Sequence, residues 1–251
     1  MTRTALLAAL ALLLAASLLA PAPQMGGPVL QAPGGAHWLG TDELGQDVLL
    51  RLLAAVPHTL ALAGAAGVLP VAIALAAAAL FLWAPGWGRQ AVLRAIDIAM
   101  LLPATLVMVV LAAFITPGLW GSIVLLSLLA WLDDYRVIAT ALQREALRES
   151  VQIARMYGAT RRYLLRAHLL PPIWPVLQAL VVQNARRSVM LGTGLVFLGL
   201  ADPRMPSWGA LLLEAQKYLH LDAFWWLLPP PVAALSALLL ALHRLRPSEA
   251  R

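Results

Sequence analysis

Apolar residues in this chain come in unbroken blocks rather than in alternation with polar ones. The blocks fall at residues 5–20, 57–83, 98–115, 119–132 (reaching Tyr135 at most), 173–200 and 224–243. A helix crossing a hydrocarbon layer of ~30 Å needs ~20 mostly apolar residues, and the blocks approach or exceed that length. A membrane β-barrel would show period-two alternation instead. The pattern predicts an all-α integral membrane protein of about six transmembrane helices. Block 5–20 follows Arg3 and precedes "PAPQMGGP". It reads as a retained first span or as a cleaved secretory signal peptide; either way the next segment lies outside.

Composition agrees: 61% of the 251 residues are hydrophobic and 12% charged, where a soluble domain carries about 25% charged residues. There is no cysteine, which excludes a disulfide framework, a thiol nucleophile and a Cys-ligated metal. The net charge of +6 changes meaning once it is placed along the chain. Thirteen of the 18 basic residues fall at the chain ends, at 89–94 and at 136–166, all on one side of the blocks. Arg51, Arg204 and Lys217 fall on the other side, and Arg186 and Arg187 lie within the fifth block. The positive-inside rule then predicts a multi-pass membrane protein with both termini cytoplasmic. The basic charge is a topology signal facing membrane lipid, and no nucleic-acid partner is expected. Trp83, Trp87, Trp120, Trp174, Trp225 and Trp226 sit near block ends, as an interfacial aromatic belt requires.

Between the fourth and fifth blocks lies a basic segment at about 136–171, containing "VQIARMYGATRRYLLRAHLLPP". Leu147, Val151, Ala154 and Gly158 recur at i, i+4, i+7 and i+11, one face of a helix. Arg148, Gln152 and Arg155 take the other side. Gly158 predicts a helix stop, Thr160 the cap of a second helix to His168, and "LLPP" its end. On periodicity alone the segment also fits an amphipathic helix that tethers the loop to the membrane surface.

The segment resembles the EAA loop of ABC-transporter permeases through Gln152, Ile153, Ala154, Gly158, Leu169, Leu170 and Pro171. Gln152 stands where that pattern has glutamate and Ile153 where it has the first alanine. "HWLGTDELGQDVLLRLL" resembles the signature of the dipeptide/oligopeptide/nickel importer family, C-type permease subunits. It matches at His37, Leu39, Gly40, Thr41, Asp42, Leu44, Gly45, Asp47, Val48 and Arg51. "LRAIDIAMLLP" matches through Arg94, Asp97 and Pro103, and "FLGLADPRMPSWG" through Phe197, Leu198, Gly199, Leu200, Pro206, Ser207, Trp208 and Gly209. The tail "HRLRPSEAR" departs from the family's usual ending.

The resemblance implies a type I ABC importer permease fold in a bacterial plasma (inner) membrane. Residues 1–30 would hold the first span and the start of an external loop, 31–56 the external signature, and 57–251 a core of five spans with the EAA loop. It implies transport of peptides or a similar small solute (a nickel complex or an opine) without catalysis by this chain. No cofactor would be bound here; ATP and Mg would sit on two cytoplasmic ABC ATPase subunits. The remaining partners would be a second, homologous B-type permease and an external substrate-binding protein. Consistent with this, the chain has no G-x-x-x-x-G-K-[ST] phosphate loop.

Site residues follow in the same way. Leu147, Val151 and Ala154 would offer an apolar face to an ATPase groove, Arg148, Gln152 and Arg155 polar contacts, Gly158 a turn and Pro171 the end. His37, Gly40, Thr41, Asp42, Gly45, Asp47 and Arg51 would form a vestibule element, or an interfacial helix with Thr41 as N-cap. His37 with Asp42 does not complete a metal site. Arg186 and Arg187 depart from the family, which usually has small residues there; because intramembrane charge is costly, they would line the translocation path and favour anionic or C-terminal-carboxylate solutes. Alternatively they sit near the cytoplasmic end of the span, snorkelling or pairing with Asp133 or Asp134. The other classes are a secondary transporter, which calls for inverted repeats, and an intramembrane enzyme. His58, Ser122 and Ser127 lie in spans, but neither G-x-S-x-G nor H-E-x-x-H is present.

Overall fold

A computed structural model describes residues 3–202 and 204–245. Arg246, Arg251 and the rest of "RPSEAR" lie outside the described residues. The helices are α1 (Arg3–Leu19), α2 (Val48–Ala54), α3 (Val56–Phe81), α4 (Gly86–Ala99), α5 (Ala104–Ile115), α6 (Leu119–Ala146) and α7 (Glu149–Met156). After them come α8 (Arg161–Tyr163), a π-helical stretch Leu164–Leu169, α9 (Leu170–Phe197), α10 (Trp208–Ala215), α11 (Phe224–Leu227) and α12 (Pro229–Arg244).

Each of the six apolar blocks falls on a helix: α1, α3, the α4–α5 pair, α6, α9 and α12. Three stretches, Val48–Phe81, Arg161–Phe197 and Phe224–Arg244, are long and apolar enough to cross a membrane. A fourth is reached if α4 and α5, bent by 69° at their junction, act as one broken span. The bend falls at Met100–Pro103, and Pro103 opens α5 as its N-cap residue. Sequence alone ran this span straight from residue 98 and left α4 unassigned. With 17 residues α1 is slightly short. α6 has 28 residues, but Asp133, Asp134 and Arg136 interrupt its apolar run.

The centre of the bundle is α3 packed between α6 and α9. One face of α3 buries Ala63, Ala66, Gly67, Pro70, Ala74 and Ala78. A Cβ placed on Gly67 would lie 3.1 Å from both the Ala185 Cβ and the Val181 carbonyl oxygen of α9. In hydrocarbon no hydrophobic effect drives helices together, so small side chains that allow close backbone approach supply the dispersion contact. One cluster joins Val71, Ala74 and Ala78 to Tyr135, Ile138, Leu142, Ile173 and Leu177. Another joins Ala66 to Met108, Ile123, Leu126 and Leu195 towards the opposite end. α10 and α12 lean on α9, and the Trp208 Nε1 donates to the Leu52 carbonyl at 3.0 Å.

Candidate functional site

The elbow between α6 and α9 is more helical than its sequence suggests. α6 continues past Tyr135 to Ala146, because Ile138, Ala139 and Leu142 keep a buried face on the bundle. Arg148 then opens α7 as its N-cap residue without a side-chain capping bond; its Nε pairs with the Glu145 carboxylate at 2.8 Å. The Gln152 Nε2 donates back to the Leu147 carbonyl at 3.1 Å. The chain leaves α7 at Gly158, whose φ is +82°. The Thr160 hydroxyl accepts from the Tyr163 N–H at 3.3 Å and caps α8. Pro171 and Pro172 have no N–H for the carbonyls of Ala167 and His168, and the backbone before them is wound as π-helix. The Arg161 guanidinium lies over the Trp83 ring, 5.9 Å from its centre, a cation–π contact that ties α8 to the end of α3.

The apolar face of α7 needs a correction. Leu147 belongs to the C-cap of α6, so the i, i+4 register starting from it does not hold. Val151 is buried in the bundle's own core, with Ala154 packed against that core. The exposed apolar residues are Leu147 (73%), Ile153 (53%), Met156 (87%) and Tyr157 (88%). The stripe of Leu147, Val151 and Ala154 is therefore split, with Val151 and Ala154 turned inward. Arg155 lines a cleft with Trp83, Val151, Gln152 and Met156.

The signature segment sits at the other end of α3, whose 26 residues at 1.5 Å each separate the two by about 39 Å. Gly45 turns with φ +70°, and a Cβ there would meet the Gly27 carbonyl oxygen at 2.2 Å. Thr41 does not cap a helix. Its buried hydroxyl donates to the Pro28 carbonyl at 2.5 Å and accepts from the Gln31 N–H at 2.8 Å, stapling the preceding loop. The cap is Asp47, which accepts from Leu49 N–H at 2.8 Å and Leu50 N–H at 3.3 Å. Asp47 also holds the His37 Nδ1 at 2.9 Å. Asp42 accepts from the Leu44 and Gln46 N–H groups, both at 2.8 Å, and from Arg51 at 2.5 Å. Arg51 reaches on to Glu214 of α10 through Nη2–Oε1 at 2.9 Å and through Nη1 to Oε2. Outside this core, the Tyr218 hydroxyl donates to Glu43, and the Lys217 Nζ lies 3.3 Å from Glu43. The Tyr218 hydrogen bond, chiefly, holds the Glu43 carboxyl below its ordinary range. In return Glu43 pushes the Tyr218 phenol up to about 12.

The arginine pair separates. The Arg187 Nη1 donates to Asp133 of α6 at 2.9 Å, so one of the two expected partners is found. Beside it the Asn184 Nδ2 donates to Asp134 at 2.6 Å. The Arg186 Nε is buried with no hydrogen-bond partner among the described residues. Arg187 lies ten residues before the end of α9 at Phe197, about 15 Å along the helix. That is near the middle of the 28-residue helix rather than at either of its ends. Gln183, Arg187, Met190 and Gly194 share one side of α9; Gln183 and Met190 are exposed, and a Cβ on Gly194 would meet nothing within 4 Å.

Residues 67–245 match the family described as the inner membrane component of binding-protein-dependent transport systems. The chain belongs to that family. It is a permease component of a binding-protein-dependent ABC importer. Peptide permease proteins, so named, of Brucella suis biovar 1 and Brucella ovis are each 33% identical to this permease over 213 residues. The alignments cover 84% of this chain and 70% of each relative. A chain of the MetNI methionine ABC transporter, in an inward-facing conformation, shares the fold with a TM-score of 0.62 at 19% identity. That match covers 78% of the permease and 93% of the MetNI chain.

Sequence reasoning missed Glu214, Met156 and Tyr157. Glu214 lies 163 positions from Arg51, and nothing local pairs them. Asp133 was one of two candidate partners, without a rule to choose between them. Met156 and Tyr157 fell outside the helical stripe, though two large apolar side chains next to a glycine turn were the available signal.

Proposed function

We propose that the permease forms half of an import path for peptides or similar small solutes, driven through α7 by cytoplasmic ATPases. The reading rests on one observation: a short helix between two spans carries Ile153, Met156 and Tyr157 exposed at its surface. Exposed large apolar groups clustered on a projecting element mark a protein contact. The docking face is then Leu147, Ile153, Met156 and Tyr157, with Arg148, Gln152 and Arg155 at its rim and Gly158 and Pro171 fixing its angle. Arg144, Arg148, Arg155, Arg161, Arg162 and Arg166 all belong to this elbow, so the positive-inside rule puts it, and both termini, in the cytoplasm. ATP is bound with Mg and hydrolysed on two ATPase partners, not on this chain.

The second half of the path is a homologous B-type permease. The Gln183–Arg187 side of α9 faces that path, because half-exposed charge at mid-span depth is costly against lipid. On the opposite end the ion-paired signature braces α2 and α10, and the external binding protein docks there. The relatives' names support peptides as the solute class. The test is co-purification of tagged permease with ATPase subunits, followed by uptake in proteoliposomes containing the binding protein. Uptake requiring ATP is expected. Uptake without any nucleotide-hydrolysing subunit overturns the reading.

A further inference from the structure

We infer that Arg187 is a carboxylate-binding residue of the import path, with Asp133 as the counter-ion that holds it when no solute is present. The inference rests on the reading that this side of α9 faces the path. The ion pair is not shut away: the side chains of Arg187 and Asp133 are 37% and 47% exposed in the single chain. Only Nη1 of Arg187 is engaged among the described residues, by one oxygen of Asp133 at 2.9 Å. A guanidinium has five N–H donors, so most of its hydrogen-bonding capacity remains open.

Among the described residues, Arg187 is also the only charged one lining a small cavity of about 20 Å³, bounded by Ala66, Ala104, Ala130, Asn184 and Ser188 among others. That space holds about one water. It takes no more than one oxygen of a carboxylate, and the rest of the group stays on the exposed side of Arg187. On that exposed side the unengaged N–H groups can take a carboxylate in the two-bond geometry that Arg favours. The body of the solute would lie along Gln183, Met190 and the open side of Gly194. Asp134 does not compete, since it is buried and takes the Asn184 amide. Released from Arg187, Asp133 is left facing the path, where an ammonium group pairs with it. The two side chains thus suit a short zwitterion with a free carboxylate and a free amine.

The absence of cysteine makes a direct test available. Leu191, on the same cavity wall, is replaced by Cys in the full importer, assembled with its partners in inside-out vesicles. Labelling rates are compared for sulfonatoethyl and trimethylammonioethyl methanethiosulfonate, using mass spectrometry to assign the labelled chain. We expect the anionic reagent to react roughly tenfold faster, the lower end of what a charged cleft does to local ion concentration. Arg187→Gln should abolish the preference. Alanylalanine should slow labelling, and its C-terminal amide should not. Arg187→Lys should keep the charge preference and lose the dipeptide protection, because it lacks the fork.

Equal rates for the two reagents, a preference that persists in Arg187→Gln, or equal protection by acid and amide would each overturn the inference. ATPase co-purification is read on the same vesicles. If the ATPase is present and the charge preference is not, the carboxylate site alone has failed; if the ATPase is absent, the import reading fails and takes this inference with it.

Discussion

Arg51 of α2 and Glu214 of α10 are joined side to side by two hydrogen bonds, although 163 positions separate them. Asp42, only 2% exposed, completes the group from the signature loop. One guanidinium therefore holds three elements together: the loop, the start of the second span, and the helix after the fifth. Replacing it by glutamine leaves a buried carboxylate without its cation, a loss of ~3–5 kcal/mol for a buried pair broken on one side. Glu214→Gln keeps Asp42 neutralised and should cost about 1–3 kcal/mol, the range for a lost buried partner. Thermal unfolding of the purified permease in detergent should rank Arg51→Gln well below Glu214→Gln.

The neighbouring pair, Glu43 and Tyr218, makes a prediction about pH. Glu43 is held below its ordinary 4.5, mainly by the Tyr218 hydroxyl. Its contribution is full above pH 4.5 and is lost as pH falls through the lowered value. Tyr218 is pushed up from 10 to about 12, mainly by Glu43. That contribution is complete below pH 10 and is lost as pH rises towards 12. Ultraviolet titration, with Tyr218→Phe as the subtracted reference, should show one phenol ionising near 12. In Glu43→Gln it should return towards 10.

At Gly158 the backbone conformation, not lack of space, is what demands glycine. Its φ is +82°, and a Cβ would meet nothing within 4 Å. A left-handed backbone costs an L-residue about 1–2 kcal/mol, which α7 can escape by swinging to another angle. Gly158→Val should insert into the membrane at normal levels and lose solute uptake together with ATPase co-purification. Wild-type uptake at normal expression would falsify the role given to this turn.

Around α7 the two faces should respond differently. Val151 is 6% exposed and belongs to the core, so Val151→Asp places a charge among apolar side chains and should lower expression and stability. Met156 and Tyr157 touch little of the chain itself, being 87% and 88% exposed. Met156→Ala with Tyr157→Ala should leave unfolding within about 0.5 kcal/mol of wild type, as surface changes do, while ATPase retention on affinity resin falls. If ATPase binding survives the double change, the docking face has been misplaced.

Much of this was legible in the sequence, for a physical reason. Hydrocarbon tolerates only helices and closed barrels, whose backbones are satisfied, and without the alternation of a barrel the continuous apolar blocks become helices. What escaped was decided by packing. The "DDYR" run at 133–136 reads as the end of a span, yet α6 persists because Ile138 and Leu142 find the core of α3 and α9. α4 is too polar to read as part of a span, and it forms beside Pro103 as the outer limb of a bent pair. Thr41 carried the right residue type for a cap. Asp47 took the role because Thr41 is occupied by Pro28 and Gln31. Val151 turned into the core instead of the expected docking face because the register began in α6, not in α7.

The uninterrupted length of α6 has a mechanical consequence. Its 28 residues make a rod of about 42 Å, longer than the ~30 Å hydrocarbon layer of a membrane. The excess carries the Glu145–Arg148 end well clear of the lipid tails. A sideways displacement of ~5 Å there turns such a rod by about 7° if the far end is held. α6 is then a lever arm, and Asp133 rides on it partway along its length. Movement at the tip shifts that carboxylate relative to Arg187 on the neighbouring helix, so the grip between them changes with the tilt of the rod.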